Sequence, residues 1–362
     1  MGYDYAMRRC CFTLVLLLAA VGTAAAQTPA TPAKAPAKAP EPALRRWFEF
    51  QQFTLGTRYR LIRSSADVVT SNHEQYREQI RARVNLDAEK RYTVTAGFYS
   101  GSSFIGSWNN LGPGTGDFDG HDHYMRQLYF SAAPVAGIEA QVGGIYVNRG
   151  ETTEYTSYDD DGFLVGSRFS VRRPKSFYFD ELTVTYAALG PSNEPNLWKR
   201  WKEFDDPNYT QVLAAKRVSQ MVSTSVDYTR YDGTDTLRGA VALRFKPKAA
   251  LSALRYEQYV RTSDPNSAAG FSVSAERPIT KWIRLQGGYT TIDEHYGGLN
   301  ADRIQRGRRF FALANVPIWG PLSSTFFATH ALDASYTLSN KTRLEAVLAW
   351  DVLNSLRKTK IF

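Results

Sequence analysis

Arginine recurs at even spacings along this chain. Arg58 and Arg60 form one such group, Arg77, Arg81 and Arg83 a second, and Arg168 and Arg172 a third. Arg238 and Arg244 follow, then Arg255 and Arg261, with Arg284 and Arg343 standing singly. A guanidinium is permanently charged and presents donors in a rigid fork, so it grips carboxylates and phosphates through parallel hydrogen bonds. A row of such groups on one face enriches anions along a surface. The same row can instead brace a wall by pairing with acids across neighbouring strands. Glu78, Glu139, Glu181, Glu257, Glu276 and Glu345 are the acids placed for that role. Arg58, Arg60, Arg77, Arg81 and Arg83 have few acids near them in sequence and are the foremost candidates for solute contact.

Other chemistry is sparse. The segment 101–122, GSSFIGSWNNLGPGTGDFDGHD, is too long for a simple connector and rich in Gly and Asn. It reads either as a constriction loop folded into a pore, with Phe104, Trp108, Asn109 and Asn110 as its contact residues, or as a surface loop. Asp117, Asp119, His121, Asp122 and His123 combine carboxylates and imidazoles, but their spacing fits no calcium-loop or zinc motif. No metal site and no cofactor are expected. The run Asp159, Asp160 and Asp161 reads as a solvated outer loop. No G-x-S-x-G motif and no phosphate-cradling G-x-x-x-x-G-K-[ST] loop occur. His330 faces Ser323 or Ser324 only if strand register happens to allow it. The basic residues are spread through strands, which gives no indication of nucleic-acid binding.

The elements that must carry the arginines have a period of two. From Tyr76 to Leu86 the even positions are mostly apolar and the odd ones polar. Leu237, Val241 and Leu243 oppose Arg238, Ala240 and Arg244; Leu344, Ala346, Leu348 and Trp350 oppose Arg343 and Glu345. The segments run about 9 to 14 residues, longer than ordinary soluble strands and long enough for tilted transmembrane ones. Their approximate positions are 50–62, 74–87, 91–100, 123–132, 137–147, 163–172, 176–187, 211–218, 220–231, 235–245, 250–262, 268–277, 280–291, 306–317, 326–338 and 341–351. That predicts an all-β chain: a transmembrane antiparallel β-barrel of about sixteen strands, with fourteen or eighteen as alternatives. Connections alternate between short turns and the long segments 101–122, 148–162, 188–210 and 292–305, as in a barrel with periplasmic turns and outer loops. Trp47, Tyr92, Tyr146, Tyr186, Trp282 and Trp350 lie near strand ends, where interfacial girdles form. An arginine facing lipid at mid-depth costs about 2–4 kcal/mol, so the arginine face must line a wet interior. A soluble sandwich would fill its apolar face with bulky aliphatics, whereas this face freely mixes Ala, Gly, Thr and Tyr.

The composition agrees. The chain has 362 residues, a formal net charge of +9, 43% hydrophobic and 13% aromatic residues, and two cysteines. That excludes a disordered chain and a disulfide scaffold. Arg8 and Arg9, the apolar run Phe12 to Val21, and Ala24-Ala25-Ala26 before Gln27 have the anatomy of a secretory signal peptide. Cys10 and Cys11 precede the apolar run, the wrong place for lipidation. The expected organisation is a signal peptide at 1–26, a Pro/Ala/Lys-rich spacer at 27–46, the barrel at 47–351 and a short tail at 352–362. Lys34 and Lys38 of the spacer could touch an anionic wall polymer.

Three stretches carry a resemblance: Arg58-Tyr59-Arg60-Leu61-Ile62, REQIRARVNL at 77–86 and GFYSGSSFIGSWNN at 97–110. Together with the alternating arginines they resemble the alginate-export-type porin-like barrels of bacterial outer membranes. The resemblance implies passage of anionic polysaccharides through an arginine-lined pore. The chain departs from the usual aromatic end of the last strand, because 355–360 does not alternate and Trp350 is the strand-end aromatic. The expectation is a passive outer-membrane channel for small or polymeric anions, including acidic saccharides. Its partners would be outer-membrane lipid, the anionic solute and the barrel-assembly machinery, with monomer and trimer both open. A barrel enzyme of lipase or protease type and a non-conducting structural or adhesive barrel are the alternatives.

Overall fold

The computed structural model describes residues 46–101, 108–111, 123–153, 163–173, 177–190, 196–246, 249–262, 268–280, 282–293, 304, 306–333, 338 and 340–358. Phe104 and the Asp117–Asp122 cluster lie outside these residues, as do residues 1–45.

The strands follow one another around a single sheet. They are β1 (Phe48–Arg63), β2 (Val69–Asn85), β3 (Tyr92–Ser100), β4 (Asn109–Leu111), β5 (His123–Val135) and β6 (Ile138–Tyr146). Next come β7 (Phe163–Val171), β8 (Glu181–Ala188), β9 (Tyr209–Arg217), β10 (Val222–Tyr231), β11 (Thr234–Arg244) and β12 (Ala253–Thr262). The last are β13 (Ala268–Pro278), β14 (Arg284–Ile292), β15 (Gly307–Trp319), β16 (Leu322–Ala331) and β17 (Thr342–Asp351). Every pairing is antiparallel, and β1 pairs with β17 as well as with β2, which closes the sheet. β3 and β4 both pair with β2 and form one interrupted stave, since Tyr76 opposes Asn109 while Gln79 opposes Tyr99. The 17 strands therefore make a closed 16-stave barrel. Closure leaves no free sheet edge, which is what a chain crossing a bilayer with strands requires.

The alternation has an outer apolar face and an inner polar one. Tyr59, Phe130, Phe169, Val184, Phe310, Phe326 and Leu344 are exposed, whereas Thr95, Thr183, Gln211, Arg238 and Glu257 are buried. A soluble barrel would show the reverse, so this is the face distribution of a membrane-spanning barrel. Among the described residues no helix is long and apolar enough to cross a membrane.

The longest connections fall at one end of the barrel as expected, but the sorting is not strict: Asp232 and Gly233, both with positive φ, make a tight hairpin between β10 and β11 at that same end. The prediction for 326–338 is displaced. Gly320, at φ 55°, and Pro321 turn the chain sharply, so β16 starts at Leu322 and ends at Ala331. Within the segment expected as a short tail, Val352–Lys358 forms a helix, with Val352 and Leu353 buried and Arg357 donating to the Phe50 carbonyl at 3.0 Å. A short helix, Leu197–Arg200, lies in the connection between β8 and β9, capped by the Asn196 side chain.

Candidate functional site

The inner face is built in three parts. The first is a cationic cluster where the chain's ends meet. Pairing of β1 with β17 sets Arg60 opposite Glu345. The Glu345 carboxylate then accepts from Arg58 at 3.2 Å, Arg60 at 2.9 Å and Arg343 at 2.6 Å. Arg58 also donates twice to Gln75 Oε1, at 2.9 and 2.6 Å. The first-strand arginines therefore do have an acid beside them. Barrel closure supplies it from a residue 285 positions away, which local sequence could not show.

The second part is an aromatic wedge. Trp108 is buried, with the Arg58 guanidinium 4.4 Å and the Arg77 guanidinium 4.5 Å from its ring centroid. A Cβ at Gly56 would lie 3.3 Å from that ring, so glycine there lets the indole pack closely against β1. Asn109 and Asn110, expected in a constriction loop, instead stand in the wall as β4, and Asn110 accepts from Gln75 at 2.7 Å.

The third part is a strap. After β6 the chain turns inward rather than staying outside. The Glu151 backbone N–H donates to the Ser225 hydroxyl oxygen at 2.8 Å, and its carboxylate pairs with Arg244 at 3.0 Å. Arg255 lies 4.0 Å from the same carboxylate. Thr153 donates to Glu257 through its N–H at 2.9 Å and its hydroxyl at 2.5 Å. Asn148 donates to Glu181 at 3.0 Å, and its carbonyl accepts from Gln211 at 2.7 Å. The described inward segment is therefore 147–153. The alternation of β6 gave no sign of it, because polar residues such as Asn148, Arg149 and Glu151 suit an outer loop equally well.

Between strap and wall lies a cavity of about 560 Å³, lined by Gln52, Arg77, Gln79, Arg81, Tyr99, Tyr146, Val147, Asn148, Arg149 and Gly150. Among the described residues its lining holds three guanidinium groups and no carboxylate. The Tyr99 and Tyr146 hydroxyls are hydrogen-bonded to each other, and Arg81 donates to Tyr146 at 3.3 Å. Tyr146, expected at an outer girdle, thus points inward.

The remaining predicted arginines divide by environment. Arg238 is buried in a pair with Asp227 at 2.7 Å, and buried Arg168 donates to the Tyr146 carbonyl and to Thr185 at 3.1 Å. Exposed Arg172 pairs with Glu139 at 2.8 Å and Glu181 at 3.0 Å. Arg83, Arg255 and Arg261 are half-buried, and Arg284 is exposed where β14 begins. Several of these brace the wall. Sequence reasoning missed Arg126 and Arg309, both buried, and Arg149 on the strap. Arg126 escaped because a bulge where β3 meets β5 breaks the period of two.

An apolar cluster shares the interior. Tyr209, Tyr259, Ile292, Ile304, Phe311 and Phe327 pack with Ile145, Leu164, Ala187 and Leu189. Phe311 lies over Gly288 and Tyr259 over Gly270, where a side chain would not fit. Of the hydrolase alternatives, His330 binds the Thr342 hydroxyl at 2.8 Å, while Ser324 donates to the Val347 carbonyl at 3.0 Å. The register does not bring His330 and Ser324 together. No group of three or more potential metal ligands occurs among the described residues.

No protein-family profile matches the sequence, and no curated protein matches it. Solved structures do. A Rhodopseudomonas blastica porin triple mutant aligns over 84% of this chain and 100% of its own, with a TM-score of 0.52 and 12% identity. A double mutant of the same porin aligns over the same shares with a TM-score of 0.54 and 12% identity. An engineered protein described for asymmetric conductivity gives 0.55 at 11% identity, over 84% of this chain and 100% of its own. The fold is that of a porin-like barrel. At this identity the likeness speaks to architecture alone.

Proposed function

We propose that this chain is a bacterial outer-membrane channel whose arginine-lined interior passes anionic solutes, acidic saccharides among them. The observation that carries the proposal is the cavity of about 560 Å³ with Arg77, Arg81 and Arg149 on its walls and no acid among its described lining residues. Guanidinium forks suit carboxylates, the amides of Gln52, Gln79 and Asn148 suit hydroxyls, and the tyrosines offer flat apolar faces. Passage needs no cofactor: anions exchange one set of donors for the next along the wall. In this reading the leader at 1–26 directs export, the spacer at 27–46 lies in the periplasm and the assembly machinery inserts the barrel. The chain acts as a monomer or a trimer. The strap and the apolar cluster favour a narrow, selective lumen over a wide one; a closed structural barrel is the second reading, and that cluster is what favours it.

The test is block of ion current by uronic-acid oligomers in planar bilayers. Each charge-assisted hydrogen bond contributes about 1.5–3 kcal/mol, so Arg77→Ser with Arg81→Ser should weaken block on the order of tenfold or more. Equal block by neutral oligomers, or block unchanged in the double variant, would overturn the assignment.

A further inference from the structure

The two ends of the barrel differ in charge, and the short-turn end has a feature the inner face does not use. Exposed aromatic residues ring it, and cations sit against them. Arg46 lies 5.5 Å from the Trp47 ring, Arg91 lies 6.0 Å from Tyr92 and Lys216 lies 4.8 Å from Tyr178. Trp47, Tyr92 and Tyr178 are themselves exposed. Arg277 is exposed on the outer face of β13, shortly before exposed Ile279 and Trp282. Lys358 is exposed on the C-terminal helix, whose Ser355 binds the indole N–H of exposed Trp350 at 2.7 Å. The opposite end is different: there exposed Asp67, Asp205, Asp206 and Asp232 are interspersed with exposed Arg63, Lys199, Lys202, Arg230 and Arg306, so the signs nearly balance.

Aromatic rings at strand ends sit at headgroup depth in a bilayer. The cations beside Trp47, Tyr92 and Tyr178 sit at the depth of the lipid phosphates, next to rings that are themselves exposed. We propose that this rim binds anionic phospholipid headgroups of the adjoining leaflet, separate phosphodiesters engaging Lys216, Arg277 and Lys358 while the acyl chains cover the neighbouring rings. The match is one of charge and depth: among the described residues exposed cations outnumber exposed acids at this end, where Glu89 and Asp351 are exposed and Arg91 also pairs with Asp87 and Glu89, whereas at the other end the two signs are nearly balanced. This proposal rests on the membrane-channel reading above, which makes the short-turn end periplasmic.

The test uses the refolded chain in phosphatidylcholine bilayers containing lipids with brominated chains, which quench nearby tryptophan. Trp47, Trp282, Trp319 and Trp350 stand at the short-turn end, Trp198 and Trp201 at the other, and Trp108 inside. A Trp198→Phe/Trp201→Phe background therefore reports on this rim. A cation near an anionic headgroup is worth a factor on the order of five, so brominated phosphatidylglycerol should bind the rim roughly two- to fivefold better than brominated phosphatidylcholine. The ratio should fall towards one in molar salt and in a Lys216→Ser/Arg277→Ser/Lys358→Ser variant. None of these three residues lines the cavity. Should the triple variant not fold, the salt series on the unaltered rim decides alone. A ratio of one at low salt in a barrel that still conducts overturns this proposal by itself. A barrel that enters no bilayer refutes the channel reading and this proposal together.

Discussion

Replacing Glu345 with Gln should be among the most damaging single changes in the barrel wall. The carboxylate is buried and meets three guanidinium groups, at 3.2 Å from Arg58, 2.9 Å from Arg60 and 2.6 Å from Arg343. At an effective dielectric constant of about 20, each contact near 3 Å contributes roughly 5–6 kcal/mol of gross attraction. Desolvation of the buried ions and repulsion among the arginines offset much of that sum. Arg60 is the least buried of the three and is discounted for solvent screening. What remains to be lost is the compensation of Arg58 and Arg343, both buried, and breaking a buried pair costs about 3–5 kcal/mol. The assay is reversible urea unfolding from phospholipid vesicles, followed by tryptophan fluorescence. Glu345→Gln should lower the unfolding free energy by about 3–5 kcal/mol. Adding Arg343→Gln should restore a good part of it, because one uncompensated charge goes with it. A loss under about 1 kcal/mol for the single variant, or a double variant no better than the single, would refute the reasoning.

Three further expectations follow from other parts of the structure. Glu257→Gln removes the charged acceptor of both Thr153 donors, so it should loosen the strap and raise single-channel conductance and current noise; an unchanged trace would mean the strap is held elsewhere. Gly166→Val should prevent the heat-modifiable folded form from appearing on gels, because a side chain there overlaps the Ala187 backbone, and normal folding would contradict the register of β7 against β8. In the turn after β2, desolvation raises the Asp87 carboxyl, but donation from the Arg91 side chain and from the Tyr92 and Arg91 amides outweighs it and holds the group below its ordinary value. A depressed carboxylate stabilises the turn above its unfolded pKa, near 3.9, and that contribution disappears as pH falls through the folded one. A carbon-13 NMR titration of Asp87 with a midpoint at or above the ordinary value would contradict this.

Much of the architecture was legible because one face of each strand meets lipid and the other does not. That contrast writes the period of two directly into residues such as Leu344, Glu345 and Ala346. It fails where backbone geometry changes parity or ends a strand. The bulge between β3 and β5 hid Arg126, and the Gly320–Pro321 turn moved β16. The site was less legible than the wall. Glu345 reaches Arg58 only through barrel closure, and the inward path of 147–153 depends on Ser225, Arg244 and Glu257, contributed by three other strands. Trp108 gave a better signal: a lone Trp in a Gly- and Asn-rich stretch after a strand marks a residue with something to pack against. Its partners are arginines two staves of the barrel supply, Arg58 from β1 and Arg77 from β2.

The central claim is that the lumen conducts and that its arginines set its preference. Single-channel recording of the refolded chain in planar bilayers, with reversal potentials across a KCl gradient, tests it most directly. The account predicts stable unitary currents with chloride preferred over potassium, and a preference reduced by Arg77→Ser with Arg81→Ser. A folded, inserted barrel that carries no current, or one that prefers potassium, would contradict it.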